Sequence, residues 1–541
     1  MADPQEAVSE HAAAPAADAR PVSWLAWAVV VGLGVHFLIW EASHLGLNFF
    51  LLTLLALVAW WVALRPAGPL PRSTRFLLML TGLWAAVFVV RLDRSTRTWA
   101  FGAWLLTLTW ALGTYRRGRA WTLTGWGWTL MLFHGALALI VRPWAYLFGQ
   151  SHARLKRRTV WLPALLGLVL LLPIGLCFLT LLVSADPVLA HFVEKLLAWE
   201  TLGELVARTF LVLLFAWLWL AGVLYAWYSR RDAEPPFPGR GILPGLAAAI
   251  VLGGVLGLFA LFLVLQARYL FGGDAALVRF GLTYAEYARQ GFGELVEVAV
   301  LSLALLVALD AFVERPMPRA FRVLGWGLLA AVLLMLASAA YRLAMYVEAF
   351  GWTTTRFSVA VFMVWLGAAL LAAAWMLHRP DPHTWPTVAL VSFFGFVLTL
   401  VVFNPSVWVA RANLRRAIQG RTLDAEHLVY DYDLSAERWT VLEQAYPGLP
   451  PDLQDRVGAA VACYLAAYEN HEPWDLRLDD WRGWSWGLVR ARGAYARLAA
   501  QVQEAFPTRT VLIDAGEYKY EETQVQVDGQ WQACDAGPWR P

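Results

Sequence analysis

The sequence predicts an all-α polytopic integral membrane protein with about 12 transmembrane helices and a small, mainly helical C-terminal soluble domain that ends in a β-hairpin. Three observations lead to this fold class. Of the 541 residues, 59% are hydrophobic and only 15% are charged, whereas about a quarter of a soluble protein is charged. The hydrophobic residues are concentrated in long blocks between residues 24 and 404. Many of the 31 tryptophans lie at the ends of these blocks.

The first segment, residues 1–22, is rich in Ala, Glu, Asp and Pro. It lacks a basic region ahead of a short apolar stretch and has no obvious cleavage site, so it differs from a secretory signal peptide. A segment of this composition has too little apolar surface to bury on folding. We therefore predict a disordered N-terminal arm over residues 1–22, followed by a membrane helix that is retained.

The second segment, residues 23–404, is predicted to be the transmembrane domain. A bilayer core of about 30 Å needs about 20 apolar residues in a helix, and most blocks lack the polar face of a soluble helix. Tryptophan at a block end keeps its ring in apolar surroundings and its N–H near the headgroups. The predicted spans are 24–41, 45–64, 75–91, 98–114, 121–141, 159–184, 204–228, 242–266, 291–313, 321–345, 356–377 and 386–404.

Basic residues predict the orientation of these spans. The connection after the fifth span holds four basic residues between Arg154 and Arg158, so the positive-inside rule assigns it to the cytoplasm. When the spans alternate, the connections with Arg230 and Arg315 fall on the same side. Twelve spans would then leave the C-terminal domain outside the cytoplasm, and one miscounted span would reverse this expectation.

The third segment, residues 405–541, is predicted to be the soluble C-terminal domain. Ser435 is a suitable N-cap for a first helix, and Leu453 begins a row of apolar residues at helical spacing that predicts a second. A third helix is expected over residues 484–506. The Asp528–Gly529 pair between short apolar runs predicts a tight β-hairpin turn.

The three cysteines exclude a disulfide-rich scaffold. Cys177 lies in an apolar block, where we expect it to pack. Cys463 and Cys534 both lie in the C-terminal segment and could pair if that segment faces an oxidising compartment. From the sequence, two separate free thiols are the preferred interpretation.

Motifs of soluble enzymes are missing from the sequence. It contains no phosphate-binding P-loop, no paired-His zinc motif on a helix, no nucleophile elbow and no Cys pair at metal-ligand spacing. We therefore name no catalytic residue and expect no cofactor, no metal and no nucleic-acid partner. The expected partners are the lipid bilayer and, as candidates, a small polar or anionic ligand or an envelope polymer.

Charged residues in or beside the spans are the best candidates for a functional site, because a charge at membrane depth costs about 2.5–3.5 kcal/mol on insertion. Glu294 and Glu297 are three residues apart and so share one helix face. Alternating spans bring further charges to the same side. The candidate polar cluster is Asp186, Arg268, Glu286, Arg289, Glu294, Glu297, Arg342, Glu348 and Arg356. A structural salt-bridge network and a polar substrate site both account for this cluster, and the structural network is preferred.

Several segments carry a resemblance to a known family. They are Ser184–Pro187, Gln266–Gly273, Thr283–Phe292, Tyr346–Thr353 with Arg356, and Ala410–Asn413. Together, over roughly residues 160–490, they resemble the bacterial multi-spanning membrane family called domain of unknown function 4173. The resemblance implies a location in the bacterial cell (inner or plasma) membrane and no established activity. Phe350-Gly351-Trp352 stands where that family usually has Tyr-Gly-Leu, so the shape of this loop is open.

Three functional hypotheses are compatible with these features. The first is a non-enzymatic structural, sensing or ligand-binding membrane protein in which the C-terminal domain covers the charged cluster. The second is a transporter or channel with a water-lined path to the opposite side, where Asp310 lies. The third is a membrane-embedded transferase acting on lipid-linked sugar or wall polymer, with Glu294, Glu297 or Asp186 as a base. We prefer the first, because the cluster and the domain occur without catalytic motifs.

Overall fold

The structure is a computed structural model, and it describes residues 21–65, 69–115, 123–154, 174–175, 178–187, 200–228, 241–270, 292–378, 384–421, 428–429, 434–468, 473, 476–478, 480–514 and 519–534. Helices dominate this part of the chain, and three strands lie near its C-terminal end. Nine of the described helices are long and apolar enough to cross a membrane. The predicted all-α membrane fold is therefore confirmed, whereas the predicted N-terminal arm lies almost entirely outside the described residues.

The helices of the bundle follow the predicted spans closely, except α5, which continues well beyond the predicted end at residue 141. They are α1 (Pro21–Ile39), α2 (Leu47–Leu64), α3 (Arg72–Val90), α4 (Arg94–Gly113), α5 (Gly125–Arg154), α6 (Glu200–Trp227), α7 (Gly245–Leu270), α8 (Phe292–Phe312), α9 (Arg319–Phe350), α10 (Thr354–His378) and α11 (Thr384–Phe403). The nine candidate spans of the described chain are α2, α3 and α5 to α11. The predicted sixth span, 159–184, lies mostly outside the described residues.

The elements of the C-terminal segment are helices followed by a small sheet. They are α12 (Pro405–Ile418), α13 (Arg438–Ala445), α14 (Pro451–Ala467), α15 (Trp486–Ala505), β1 (Thr508–Asp514), β2 (Lys519–Val527) and β3 (Gln530–Ala533). The sheet is antiparallel with the order β1-β2-β3. Asp528 and Gly529 both have positive φ, as a tight hairpin turn requires. The predicted hairpin is confirmed, and β1 is a further strand that the sequence did not indicate.

The hydrophobic core of the C-terminal segment continues into the bundle. Trp439 is fully buried, and it belongs to the same buried cluster as Phe88 at the end of α3 and Leu400 near the end of α11. The segment therefore rests on one end of the bundle, where the connections 40–46 and 91–93 lie. We call this end the domain end and the other the far end.

The relative direction of α1 and α6 shows which helix ends lie at the same end of the bundle. Near the start of α1, the ring of Trp24 lies 5.2 Å from that of Trp227 at the end of α6. Just after α1, Glu41 forms an ion pair with Arg208 near the start of α6. The two helices are therefore antiparallel, whereas strict alternation of the twelve predicted spans would make the first and seventh parallel. The start of α1 lies at the far end, opposite the C-terminal segment.

Helix α5 accounts for this difference within the described chain. Near its start, Trp128 packs on Trp110, close to the far end of α4. After Pro143, which lies inside the helix, Tyr146 stacks on Trp24 at the start of α1. Both parts of α5 thus contact the same end of the bundle, and its length alone does not indicate a complete crossing.

Cys463 on α14 and Cys534 just after β3 form a disulfide, with their Cα atoms 5.6 Å apart. The sequence-based preference for two separate free thiols is therefore wrong. The two cysteines are 71 residues apart in sequence, and only the packing of the sheet against α14 brings them together. The bond ties the small sheet to the helical part of the C-terminal segment.

Candidate functional site at the domain end

The first contact between the C-terminal segment and the bundle is made at the α1–α2 connection. The amide of Leu47 donates to the carbonyl of Trp484 at 2.9 Å. The Arg482 guanidinium donates to the carbonyls of Phe37 at 2.7 Å and Trp40 at 3.0 Å. Asp480 accepts from Arg482 Nε at 2.6 Å, and this hydrogen bond lowers the pKa of the Asp480 carboxyl. Arg482 is thus oriented to satisfy carbonyls at the end of α1, which lack partners within the helix.

The second contact is a buried carboxylate above the α3–α4 connection. Glu437, at the start of α13, is only 5% exposed, and its Oε2 accepts from the amide of Leu92 at 3.1 Å. The guanidinium of Arg91 lies 3.9 Å from its other carboxylate oxygen. Burial raises the pKa of Glu437, with the Leu92 amide and Arg91 opposing this effect. A buried carboxylate of this kind links the domain to the bundle and titrates closer to neutral pH.

A chain of hydrogen bonds beside Glu437 joins three separate parts of the sequence. Asp93 caps the start of α4 by accepting from the amide of Thr96 at 2.7 Å. Its other oxygen accepts from the hydroxyl of Ser406 at 2.6 Å, and that hydroxyl oxygen accepts from the amide of Ser435 at 3.0 Å. Asp93 and Ser406 are both fully or almost fully buried. This network fixes the start of α12 and the approach to α13 against α4.

The third contact joins α12 to the α9–α10 connection. Asn413 Oδ1 accepts from the amide of Trp352 at 2.8 Å, and its Nδ2 donates to the carbonyl of the same residue at 2.8 Å. Gly351, the residue before Trp352, has a φ of +74°, a backbone conformation that residues other than glycine rarely adopt. A Cβ atom at this position would lie 3.1 Å from Asn413 Oδ1. The glycine therefore lets the connection approach the asparagine.

Two members of the predicted polar cluster lie at this third contact. Glu348 near the end of α9 binds Arg416 of α12 at 3.0 Å and also forms an ion pair with Arg421. Arg356 of α10 donates to the carbonyls of Phe350 and Gly351 around the same connection. Both charges therefore hold helix ends together at this contact.

The remaining members of the cluster are only partly brought together. Glu294 and Glu297 are exposed near the start of α8. Arg342 is buried on α9, and the next residue, Leu343, belongs to the same buried cluster as Leu295 of α8. Among the described residues, neither glutamate forms a hydrogen bond or an ion pair with another member of the cluster. Asp186 is exposed after the helical residues 178–185 and Arg268 lies near the end of α7, whereas Glu286 and Arg289 lie outside the described residues.

At the far end, Asp310 pairs with Arg315 at 3.0 Å and accepts from Trp385 Nε1 at 3.2 Å. The transport hypothesis places this acid on the side that a path would reach. Its partners join α8, the following connection and α11. In the described part of the chain, no group of three or more His, Cys, Asp or Glu side chains could hold a metal ion.

The buried network at the domain end was not found from the sequence. Asp93 lies three residues before Thr96, as an N-cap does, and this was the one local signal available. Ser406, which donates to Asp93, and Glu437, which accepts from Leu92, both lie more than 300 residues further on, so pattern alone could not pair them. The chemistry of this site follows from the groups that its charged side chains bind. They bind backbone groups and oppositely charged side chains, and so they hold helix ends together.

A family model described as Domain of unknown function (DUF4153) matches residues 78–445. The match covers about two thirds of the chain, from α3 to the end of α13. It is a different family from domain of unknown function 4173, which the sequence segments resemble, and is an uncharacterised domain of the same kind. No curated protein and no solved structure matches the chain.

Proposed function

The chain belongs to the family described as Domain of unknown function (DUF4153), and we propose that this multi-pass membrane protein is a non-enzymatic ligand sensor. In this proposal the C-terminal domain meets a polar or anionic ligand, or an envelope polymer, and transmits the resulting change to the helices. The observation that carries the proposal is the set of three backbone contacts at the domain end. A domain that binds the connections 40–46, 91–93 and 351–353 cannot shift without changing several helix ends at once.

The charges at the domain end favour coupling over catalysis. Glu437 binds a backbone amide, Arg482 and Arg356 bind backbone carbonyls, and Glu348 pairs with arginines of α12. A carboxylate that acts as a general base must lie within reach of a substrate proton, whereas the described partners of these groups are backbone groups at helix ends and arginine side chains. Two sites are coupled when both of them shift the balance between two arrangements of a shared structural element.

Two observations support an extracytoplasmic position for the C-terminal domain. The disulfide between Cys463 and Cys534 is of a kind that persists in oxidising compartments and is rare in the cytosol. At the far end, the basic residue Arg315 lies in a described connection, and Arg72 and Arg319 are the first residues of α3 and α9. Cytoplasmic connections and the helix ends beside them are enriched in such residues. Both favour a ligand that approaches from outside the cytoplasm.

Backbone hydrogen exchange of the full chain in lipid nanodiscs tests the proposed coupling. Arg482→Ala removes the domain's bonds to the α1–α2 connection. We expect faster exchange there and also at 91–93 and 351–353, which Arg482 does not touch. Arg497→Ala is the matched control, because among the described residues Arg497 pairs only with Glu443 on the domain surface. Faster exchange confined to the α1–α2 connection would contradict coupling through the domain.

A further inference from the structure

A long apolar groove lies on the side of the bundle between α3 and α11. Its volume is about 680 Å³. Its lining is formed by side chains of α3, α4, α5 and α11, among them Phe76, Leu83, Trp84, Val391, Phe394 and Leu398. Within the described lining, Thr387 is the only hydroxyl-bearing side chain, and no lining side chain is charged. The groove therefore suits a hydrocarbon ligand and excludes a hydrated polar one.

Aromatic rings form the floor of the groove. Trp84 of α3 and Phe394 of α11 stack with their ring centroids 5.8 Å apart, and they hold the two helices apart at the depth of the rings. At the domain end, Arg91 Nε donates to the carbonyl of Val401 at 2.8 Å. This bond ties α3 to α11 and limits the groove on that side. A ligand that is longer than the groove must therefore extend toward the far end.

The groove faces the hydrocarbon core of the bilayer. The lining residues Leu83, Val391 and Leu398 are 54–64% exposed, as side chains on the lipid-facing surface of a spanning helix are. On α3 the lining runs from Phe76 to Val87, which is about 16 Å at about 1.5 Å per residue. One leaflet supplies about half of a core of about 30 Å. On α11 the lining runs further, from Pro386 to Val401, which is about 22 Å. The groove therefore crosses the middle of the bilayer core and can take one extended acyl chain that enters from the far end.

A positive charge lies at the far end of the groove. Arg72 is four residues before Phe76, so the two side chains share one face of α3. Arg72 and the neighbouring Arg75 are both exposed, and no described residue pairs with either. Arginine binds phosphate groups through its planar set of N–H donors. Anionic lipids are attracted by such residues beside a membrane.

We infer that the groove between α3 and α11 binds one acyl chain of an anionic phospholipid from the leaflet at the far end, with the lipid phosphate beside Arg72 and Arg75. The chain fills the apolar groove above Trp84 and Phe394, and the two arginines select the charged headgroup. Neither the family match nor the contacts of the C-terminal domain assign this site.

Native mass spectrometry of the full chain, released from nanodiscs of mixed phosphatidylglycerol and phosphatidylethanolamine, tests the site. The double variant Leu83→Trp with Val391→Trp fills the groove from its exposed rim. Leu334→Trp with Val364→Trp is the matched control, because these residues are 61% and 70% exposed on α9 and α10 and do not line the groove. We expect one retained phospholipid per wild-type and control chain, and about tenfold less retention in the groove variant, a difference of about 1.4 kcal/mol.

A second set of variants tests whether the two arginines select the lipid headgroup. Arg72→Gln with Arg75→Gln leaves the groove intact and should lower the preference for phosphatidylglycerol by about fivefold for each arginine. Arg319→Gln, an exposed arginine at the start of α9 on the same side, should leave the preference unchanged. Equal lipid retention in the groove variant and its control would overturn the acyl-chain site. Equal retention of both lipids by the wild-type chain would overturn the anionic headgroup.

Discussion

Asn413 of α12 pairs with both backbone polar groups of Trp352, accepting from its amide and donating to its carbonyl, each at 2.8 Å. One side chain thereby satisfies a helix connection at the domain end in the way that a neighbouring strand would. The pair joins α12, the first helix after the bundle, to the turn between α9 and α10. It therefore stabilises the position of α12 on the bundle.

Asn413→Ala should therefore weaken the attachment of α12 to the bundle. It leaves two half-buried backbone groups without their partners, which costs about 1–3 kcal/mol. We expect faster hydrogen exchange of residues 351–353 and a lower thermal midpoint of the full chain in detergent. Gln419→Ala, an exposed change at the end of the same helix, serves as the control. Equal midpoints for the two variants would show that the pair is not stabilising.

Gly351→Ala should destabilise the same connection by about 1–3 kcal/mol, because φ +74° with an extended ψ is a conformation that only glycine adopts readily. The added Cβ would also meet Asn413 Oδ1 at 3.1 Å. Gly82→Ala, in the interior of α3 with open space around it, should instead be neutral or stabilising by up to about 1 kcal/mol. The thermal midpoint should fall for Gly351→Ala and should stay the same or rise for Gly82→Ala. A neutral Gly351→Ala would contradict the described backbone.

Glu437 should make the folded protein, with the C-terminal segment attached to the bundle, more stable at low pH. Burial raises its folded-state pKa above the ordinary value of 4.5, so the folded protein binds more protons than the unfolded one between these two values. This stability is fully present below about pH 4.5 and is lost as the pH rises through the folded pKa. Glu437→Gln keeps an acceptor for Leu92 and should remove this dependence.

The measurement for Glu437 is the thermal midpoint of the full chain between pH 4.5 and 8. The difference between wild type and Glu437→Gln isolates this group from acids with the opposite shift, such as Asp480. Glu443→Gln, which changes a surface ion pair, is the control and should follow the wild-type curve. Parallel curves for wild type and Glu437→Gln would mean that the carboxylate is not buried as described.

Cys463→Ala with Cys534→Ala should loosen the small sheet. Closing a loop of about 70 residues is worth about 4 kcal/mol in the chain-entropy model. We expect faster exchange in β2, β3 and α14, with the bundle helices unchanged, and the same result on reduction of the wild-type protein. Cys177→Ala leaves the bond in place and is the control. Detection of three free thiols in the freshly isolated protein would contradict the disulfide.

Local chemistry was enough to predict many elements of the fold. Apolar blocks of spanning length predicted eleven of the bundle helices in the described chain, because the bilayer fixes their length. The Asp528–Gly529 turn was predicted because positive φ at both positions restricts the residues that fit. Strand β1 was missed because its residues show no clear alternation, and its pairing with β2 is decided by packing.

Long-range relations could not be predicted from one sequence. Glu437 contacts Leu92 across 345 positions, and Cys463 reaches Cys534 only through the packing of the sheet on α14. The antiparallel arrangement of α1 and α6 was missed for a similar reason. Hydropathy indicates how long α5 is, but it does not show whether α5 crosses the whole bundle. The predicted polar cluster stays a prediction, since Glu348 and Arg356 lie at one contact while Glu294 and Glu297 do not reach it.

The most direct measurement is cysteine labelling in intact cells, in a Cys177→Ala chain that keeps its disulfide. Single cysteines replace Gln419 beside the C-terminal domain and Arg319 at the far end, both of which are exposed. A sensor whose domain faces away from the cytoplasm predicts that a membrane-impermeant maleimide labels the cysteine at position 419 at once, and the one at position 319 only after permeabilisation. Labelling of both positions from one side, or the reverse order, would contradict the proposed arrangement.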